Sequence, residues 1–163
     1  MGKFDNPPFW WGGEEPFVAL PTVTYDRMRA LLDEEELNYG VQESGELTFG
    51  FTPLMVWINI DDRTLRTTGV WRGSSTTEED GATIRAFCHK VNSSQNFPKS
   101  YPQGDGSEDA PYIFVMEHSV PLTQGLNDEQ LKDYFNATMG MFFGTIEDLE
   151  KELPHLVTWS EEE

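Results

Sequence analysis

Apolar residues change their spacing along this chain, and each change marks a new element. Tyr25, Met28, Leu31 and Leu32 fall on one face at helical spacing, and Thr24 stands where a helix takes its N-cap. Arg27 occupies the third helical position, where a full capping box would carry an acid. The acidic run 33–36 sits at the end where the macrodipole disfavours negative charge, so this helix is predicted to stop near Leu37. From Asn38 to Arg72 the period falls to two. Segments 38–42, 46–51, 55–60 and 65–72 read as four short strands, joined by turn chemistry at 43–46, Thr52-Pro53 and 61–64. Connections this short join only antiparallel neighbours. Leu47, Phe49 and Phe51 alternate with Thr48 and Gly50, the pattern of a sheet with one buried face. The third strand is apolar on both sides apart from Asn59, which predicts a central position with partial cover on both faces.

A loop over 73–76 should lead to a second helix capped by Thr76 or Thr77, with Glu78, Glu79 and Asp80 at the dipole-favoured end. That helix runs to about Val91, and Cys88 lies on its apolar stripe with Ile84, Phe87 and Val91, where a thiol packs rather than reacts. Residues 92–110 are polar and turn-rich, with a strand near 100–103 and a loop at 104–109; 112–122 is the strongest later strand. Asn127 with Gln130 forms a capping pattern for a last helix whose face carries Leu131, Phe135, Thr138, Phe142, Ile146, Leu149 and Leu153. Around Met139, Met141, Phe142 and Phe143 this helix is apolar over most of its circumference, so cover is expected on two sides. Gly140 and Gly144 are read there as sites of close approach or a kink. The result is an α+β fold, an antiparallel sheet with helices packed on one face in the order α-β(3–4)-α-β(2)-α.

Composition narrows the function. The 163 residues hold 29 acids against 11 bases, a formal net charge of −18. That balance argues against nucleic acid and against anionic membrane surfaces as general partners, because both demand a basic face. It points instead to selectivity for basic partners and to limited self-association. The charge is uneven: residues 61–100 hold six of the bases against five acids. No apolar run approaches a membrane span, 1–8 shows no secretory pattern, and a lone cysteine fits a reducing compartment, so a cytoplasmic location is expected. Pro7, Pro8, Pro16, Gly12 and Gly13 bar a long helix from the first 17 residues, an arm that nonetheless carries Phe4, Phe9, Trp10, Trp11 and Phe17. Each large ring left in water forfeits about 2 kcal/mol of burial, so the arm is expected to pack over its own domain or to dock on a partner or a second copy. The chain thus divides into an arm, 1–17, a domain, 18–155, and an acidic tail, 156–163.

No nucleophile elbow, phosphate-binding glycine loop, dinucleotide fingerprint or zinc-binding helix motif occurs, so no catalytic residue, metal site or cofactor is expected. Cys88 and His89 point in different directions on a helix, and Glu117 and His118 alternate across a strand, so neither adjacent pair forms a site. The acidic loop with Asp105, Glu108 and Asp109 lacks the spacing of a calcium loop and reads as a solvated tip.

Several stretches carry a likeness: 21–24 with Arg27 entering the first helix, Gly69-Val70-Trp71, Val91-Asn92 followed by Asn96 and Pro98-Lys99-Ser100-Tyr101, the run 125–131, and Leu153-Pro154. On these residues the chain, over about 18–155, resembles the actinobacterial YbjN-domain proteins, described as sensory-transduction regulators with a fold similar to that of type III secretion chaperones. The resemblance implies a non-enzymatic domain that binds protein or peptide, with homodimerisation suggested by the chaperone analogy; it supplies no catalytic residues. The leading expectation is therefore a protein-binding domain with an apolar working surface. Trp10 and Trp11 of the arm, Trp57 and Trp71 on the sheet, and Met139, Met141 and Phe143 on the last helix are its candidate residues. An enzyme or small-ligand site assembled from His118, Asp105 and Tyr101 is the alternative. A nucleic-acid regulator acting through Arg63, Arg66, Arg72 and Arg85 is the third reading.

Overall fold

The computed structural model describes residues 19–159. Helix α1 spans Tyr25–Glu34, and the Thr24 side chain accepts from the Arg27 backbone N–H at its start. Four strands follow, β1 (Gly40–Val41), β2 (Leu47–Gly50), β3 (Leu54–Ile60) and β4 (Thr64–Ser75). Helix α2 (Glu78–Ser94), β5 (Lys99–Gln103), β6 (Tyr112–Pro121), α3 (Asp128–Glu152) and a short 3-10 turn (Pro154–Leu156) complete the chain. The six strands form one antiparallel sheet in the order β1-β2-β3-β4-β6-β5.

Alternation in the central strands shows where the helices lie. In β4 the side chains of Leu65, Thr67 and Trp71 are buried, with Gly69 between them, while Arg66 and Arg72 are exposed and Thr68 and Val70 half-buried. In β3 Leu54, Val56 and Ile58 are buried; Met55, Trp57 and Asn59 are half-buried. The buried set joins Met28, Leu32, Ile84, Phe87, Phe142, Ile146 and Leu149 from the three helices in one core. The helices thus share one face, as the alternation in 46–51 implies. Helix α3 packs against the sheet at Gly69, where an added Cβ would stand 2.7 Å from the Phe142 ring, so glycine makes room for that ring.

Helix α3 presents the predicted face inward, and both halves of its capping box form: Asn127 Oδ1 accepts from the Gln130 N–H, and Gln130 Oε1 from the Asn127 N–H. Two readings of the sequence need correction. The predicted loop over 73–76 is strand as far as Ser75, and a register shift between Val70 and Ser74 absorbs the irregularity. A Cβ on Gly73 would fall 2.2 Å from the Trp71 ring, so glycine lets the strand pass the indole. Gly140 and Gly144 are not points of close approach, since a Cβ on either would meet nothing within 4 Å and α3 is continuous through both. Their side of the helix is the exposed one.

Beyond α3 the chain stays attached. Leu156, Val157 and Trp159, placed in the tail by sequence reading, pack against the core, and the Trp159 ring meets Trp71 edge-on at 5.9 Å. His155 Nε2 lies 2.9 Å from Asp80 Oδ1 at the start of α2. Ser75 donates to the other oxygen of Asp80 at 2.6 Å. That Ser75 bond, ahead of those from Thr77 and His155, holds the buried Asp80 carboxyl below its ordinary range.

Candidate functional site

The face of the sheet turned away from the helices is built by residues that pair across it in register. One row runs Gly50, Met55, Val70, Val115, Tyr101; the next runs Thr48, Trp57, Thr68, Glu117, Lys99; a third holds Asn59, Arg66 and Ser119. None of Met55, Trp57, Val70, Tyr101 or Val115 belongs to the core shared with the helices or packs against it. The rows form an apolar strip flanked by aromatic and charged groups.

Glu117 is half-buried on this face. It accepts from the Tyr101 hydroxyl at 2.9 Å and the Lys99 ammonium at 3.2 Å. Burial opposes its ionisation, but these two donors together hold the carboxyl below its ordinary range. Burial, reinforced by Glu117, pushes the Tyr101 phenol up to about 12, so this group does no acid–base work near neutrality.

Charge here departs from that of the whole chain. The outward positions of the strands carry Arg66, Arg72 and Lys99 against Glu117 alone, with Glu43 and Glu46 at the rim beside Trp57. Arg27, Arg29, Arg85, Lys90, Lys99, Lys132 and Lys151 each pair with a carboxylate. Arg66 and Arg72 form no ion pair with a carboxylate among the described residues, although the Arg66 charge helps to hold the Glu117 and Asp61 carboxyls low; Arg66 contacts Asn59 Oδ1 at 3.5 Å and Arg72 the Met55 sulfur at 3.2 Å. The acidic balance of the whole chain, expected to favour basic partners, thus does not extend to the strand positions of this face.

The candidate residues from the sequence are distributed as follows. Trp57 is on the helix-free face. Trp71 is not a surface residue: it is 1% exposed, faces the core, and donates its indole N–H to Glu150 Oε1 at 3.1 Å. The reason is register, because Trp57 pairs with Thr68 and Leu54 with Trp71, so the two tryptophans project from opposite faces. Met139 is likewise buried, at 8% exposure. Phe143 is half-buried with its ring 5.0 Å from Phe51, and Met141 is half-buried. Most of the apolar surface of α3 is therefore consumed inside the domain. Trp10 and Trp11 lie outside the described residues.

The dispersed polar site does not assemble. Tyr101 lies on the helix-free face and His118 on the core face, while Asp105 turns back to accept from the Ser107 N–H at 2.9 Å. His118 belongs to a buried network instead. Thr138 donates to the Tyr134 carbonyl at 2.7 Å, so the 2.7 Å contact between Thr138 Oγ1 and His118 Nδ1 assigns the imidazole proton to Nδ1. Tyr134 donates to the His118 carbonyl and stacks on the ring, and burial lowers the imidazole pKa. Cys88 is buried, and desolvation pushes its thiol up to about 11, which leaves it inert. A groove of about 560 Å³ between α1 and the start of α3 is lined by Arg27, Lys132, Glu34 and Asp128 among others. Its cations are already engaged: Arg27 binds Asp128 and the carbonyls of Pro21, Thr22 and Leu126, and Lys132 binds Glu34 and Glu35. It braces the entry of the chain rather than offering a ligand a charge.

A family model described as "Putative bacterial sensory transduction regulator", YbjN, matches residues 24–142, well over half of the chain. The chain belongs to the YbjN family. The match concerns the family and says nothing of an actinobacterial lineage. Among solved structures the fold is similar to the crystal structure of YbjN, "a putative transcription regulator from E. coli", with a TM-score of 0.67 and 18% identity over 85% of this chain and 98% of that one. It is also similar to an uncharacterized protein from Methanothermobacter thermautotrophicus, with a TM-score of 0.50 and 16% identity over 80% of this chain and 99% of that one. At such identities the likeness is one of fold. No curated protein matches the chain. The YbjN match covers every strand and most of α3, so the helix-free face lies within it. Among the described residues no helix is long and apolar enough to cross a membrane.

Of this face, Trp57 alone is assigned by sequence to a protein-binding surface; Tyr101, Arg66 and Arg72 fall to other readings, and Met55, Val70 and Val115 are left out. The signal was available in the parity of the β3–β4 hairpin: once Ile60 is paired with Leu65, every even position of β4 follows Trp57 to the outside.

Proposed function

We propose that this YbjN-family chain is a non-enzymatic regulatory domain that binds protein, and that its working surface is the helix-free sheet face rather than helix α3. The partner that fits is an extended segment bearing aromatic and acidic side chains. The observation that carries this reading is the local excess of cations on the strands: in a chain of net charge −18, Arg66 and Arg72 flank an apolar strip and form no ion pair with a carboxylate among the described residues. Rings would seat on Met55, Trp57 and Val70, and carboxylates would meet the two guanidinium groups, which supply bidentate geometry and orientation. The family description as a regulator and the failure of His118, Asp105 and Tyr101 to converge favour binding over turnover.

The test is fluorescence anisotropy with a labelled short peptide alternating Glu with Trp and Phe, alongside its Lys counterpart. The acidic peptide should bind saturably and the lysine peptide should not. Arg66→Glu or Arg72→Glu should weaken binding about tenfold each, the size of one lost charge-assisted contact, while Met141→Asp leaves it unchanged. Equal binding of the two peptides, or undiminished binding by folded Trp57→Asp, overturns the proposal. Salt-sensitive binding of random duplex DNA in place of either peptide would transfer the face to nucleic acid and overturn it as well.

A further inference from the structure

Val115 stands apart from its strand neighbours. It is 2% exposed, yet it projects from the face without helices and stands outside the core cluster. Its described neighbours on that face are Val70 on β4, Tyr101 on β5, whose hydroxyl reaches Glu117, and Ile113 and Glu117 along β6, all of them only half-buried. Val115 therefore marks the part of this face where apolar surface is most fully withdrawn from water, and a segment laid over the strip would bear on it.

The chain supplies a segment of the right chemistry. Residues 4–17 hold Phe4, Phe9, Trp10, Trp11 and Phe17, with Asp5, Glu14 and Glu15 among them. Pro7, Pro8 and Pro16 bar a long helix from that stretch. Those rings suit the strip of Met55, Trp57, Val70 and Val115, and the carboxylates suit Arg66 and Arg72. Geometry permits the match. The described chain starts beside the end of β6, where the Pro21 carbonyl accepts from the Leu126 N–H at 3.1 Å and Arg27 grips the carbonyls of Pro21 and Thr22. Gly125 makes room for that entry, since a Cβ there would lie 2.4 Å from the Leu20 carbonyl oxygen. The same end of the sheet carries Arg63, whose carbonyl accepts from the Leu122 N–H at 2.7 Å. Eighteen extended residues reach at most about 60 Å, while six strands span about 24 Å, so the arm can cross the whole face from this anchor.

We infer that the aromatic, acidic arm of residues 4–17 lies across the helix-free sheet face of its own molecule and competes there with the partner segment. The competition rests on the binding reading given above; the cover does not. The arm is an internal pseudo-ligand, so a partner binds only by displacing it, and apparent affinity falls by the fraction of molecules in which the arm is seated.

The experiment uses the full chain with p-benzoylphenylalanine in place of Trp57, prepared in ordinary and nitrogen-15 forms and mixed before irradiation. Cross-links should map to peptides from 1–17 and remain isotopically unmixed. Isotopically mixed cross-links would assign the cover to a second copy, and cross-links that avoid 1–17 would remove the arm altogether; either overturns the inference. The same label at Val70 repeats the measurement should the first variant fail to fold. In parallel, Trp10→Ser with Trp11→Ser in the full chain should raise affinity for the acidic peptide about tenfold, and unchanged affinity refutes competition. Cross-links to the arm with no peptide binding by either protein would sink the binding reading and leave the cover standing. Peptide binding without such cross-links would do the reverse.

Discussion

Replacing Trp71 and Trp57 by alanine, one at a time, separates the two faces of the sheet energetically. Trp71 is 1% exposed, its ring meets Trp159 at 5.9 Å, and its N–H is bonded to Glu150. Truncation removes a wholly buried indole and leaves a cavity under the last turn, a loss of about 3–5 kcal/mol. The bond to half-buried Glu150 adds no more than about 1 kcal/mol, because the carboxylate can turn to water. Against a total stability of about 5–15 kcal/mol that is a large share. Trp57 is half-buried on the helix-free face, and its truncation forfeits roughly half the transfer term of a large side chain, about 1–2 kcal/mol. The assay is urea unfolding followed by far-ultraviolet circular dichroism, with the slope compared between variants to confirm one folded reference. Trp71→Phe should fall between, keeping a ring in the core and losing the N–H. Equal costs at the two positions, or a larger cost for Trp57→Ala, would refute the facing deduced from the β3–β4 register.

Other outcomes follow from the same contacts. The lowered pKa of Asp80 means that the unfolded chain takes up the proton first, so its contribution is present at neutral pH and is lost as pH falls through the folded value; the urea-midpoint gap between wild type and Asp80→Asn should be wide at pH 7 and close as pH falls below the ordinary carboxylate range. Burial lowers the pKa of His118, so the unfolded state again binds the proton first, and stability should decline as pH drops below about 6.5; His118 ring shifts in NMR should show the neutral Nδ1–H form through that range. Asn92 donates to the Ser100 carbonyl at 2.7 Å and accepts from its N–H at 2.9 Å, closing the free edge of β5, and Pro102 removes a further donor from that strand. Asn92→Ala should therefore cost about 1–3 kcal/mol and increase self-association in sedimentation, and unchanged sedimentation with wild-type stability would contradict this account of the edge.

Elements declared themselves in the sequence where local chemistry and burial agree. The caps at Thr24, Thr77 and Asn127 all accept the N–H three residues on, and the seven predicted apolar or small positions of α3 from Leu131 to Leu153 are all buried. Strand β4 was read short because Gly73 resembles a turn, whereas its role is steric and depends on where the Trp71 ring lies. The same holds for Gly140 and Gly144, whose meaning turns on which side of α3 faces the sheet. The candidate surface was half visible. Aromatic residues identify themselves, but whether a tryptophan looks to the core or to water depends on hairpin register, which links positions on two strands. Nothing within a single strand distinguishes Trp57 from Trp71. The arginines that form no ion pair among the described residues were hidden for a related reason: the count of six bases in 61–100 is plain, but which of them meet acids is decided by residues as distant as Glu117 and Glu152.

The central claim is that the sheet, and not α3, meets the partner. Its most direct test is a titration of the nitrogen-15-labelled full chain with the acidic aromatic peptide, followed by amide and indole shifts. Changes centred on the Trp57 indole and on the amides of Thr68, Val70 and Lys99 are predicted. Changes centred on Met139 to Phe143, with the Trp57 signal unmoved, would contradict it.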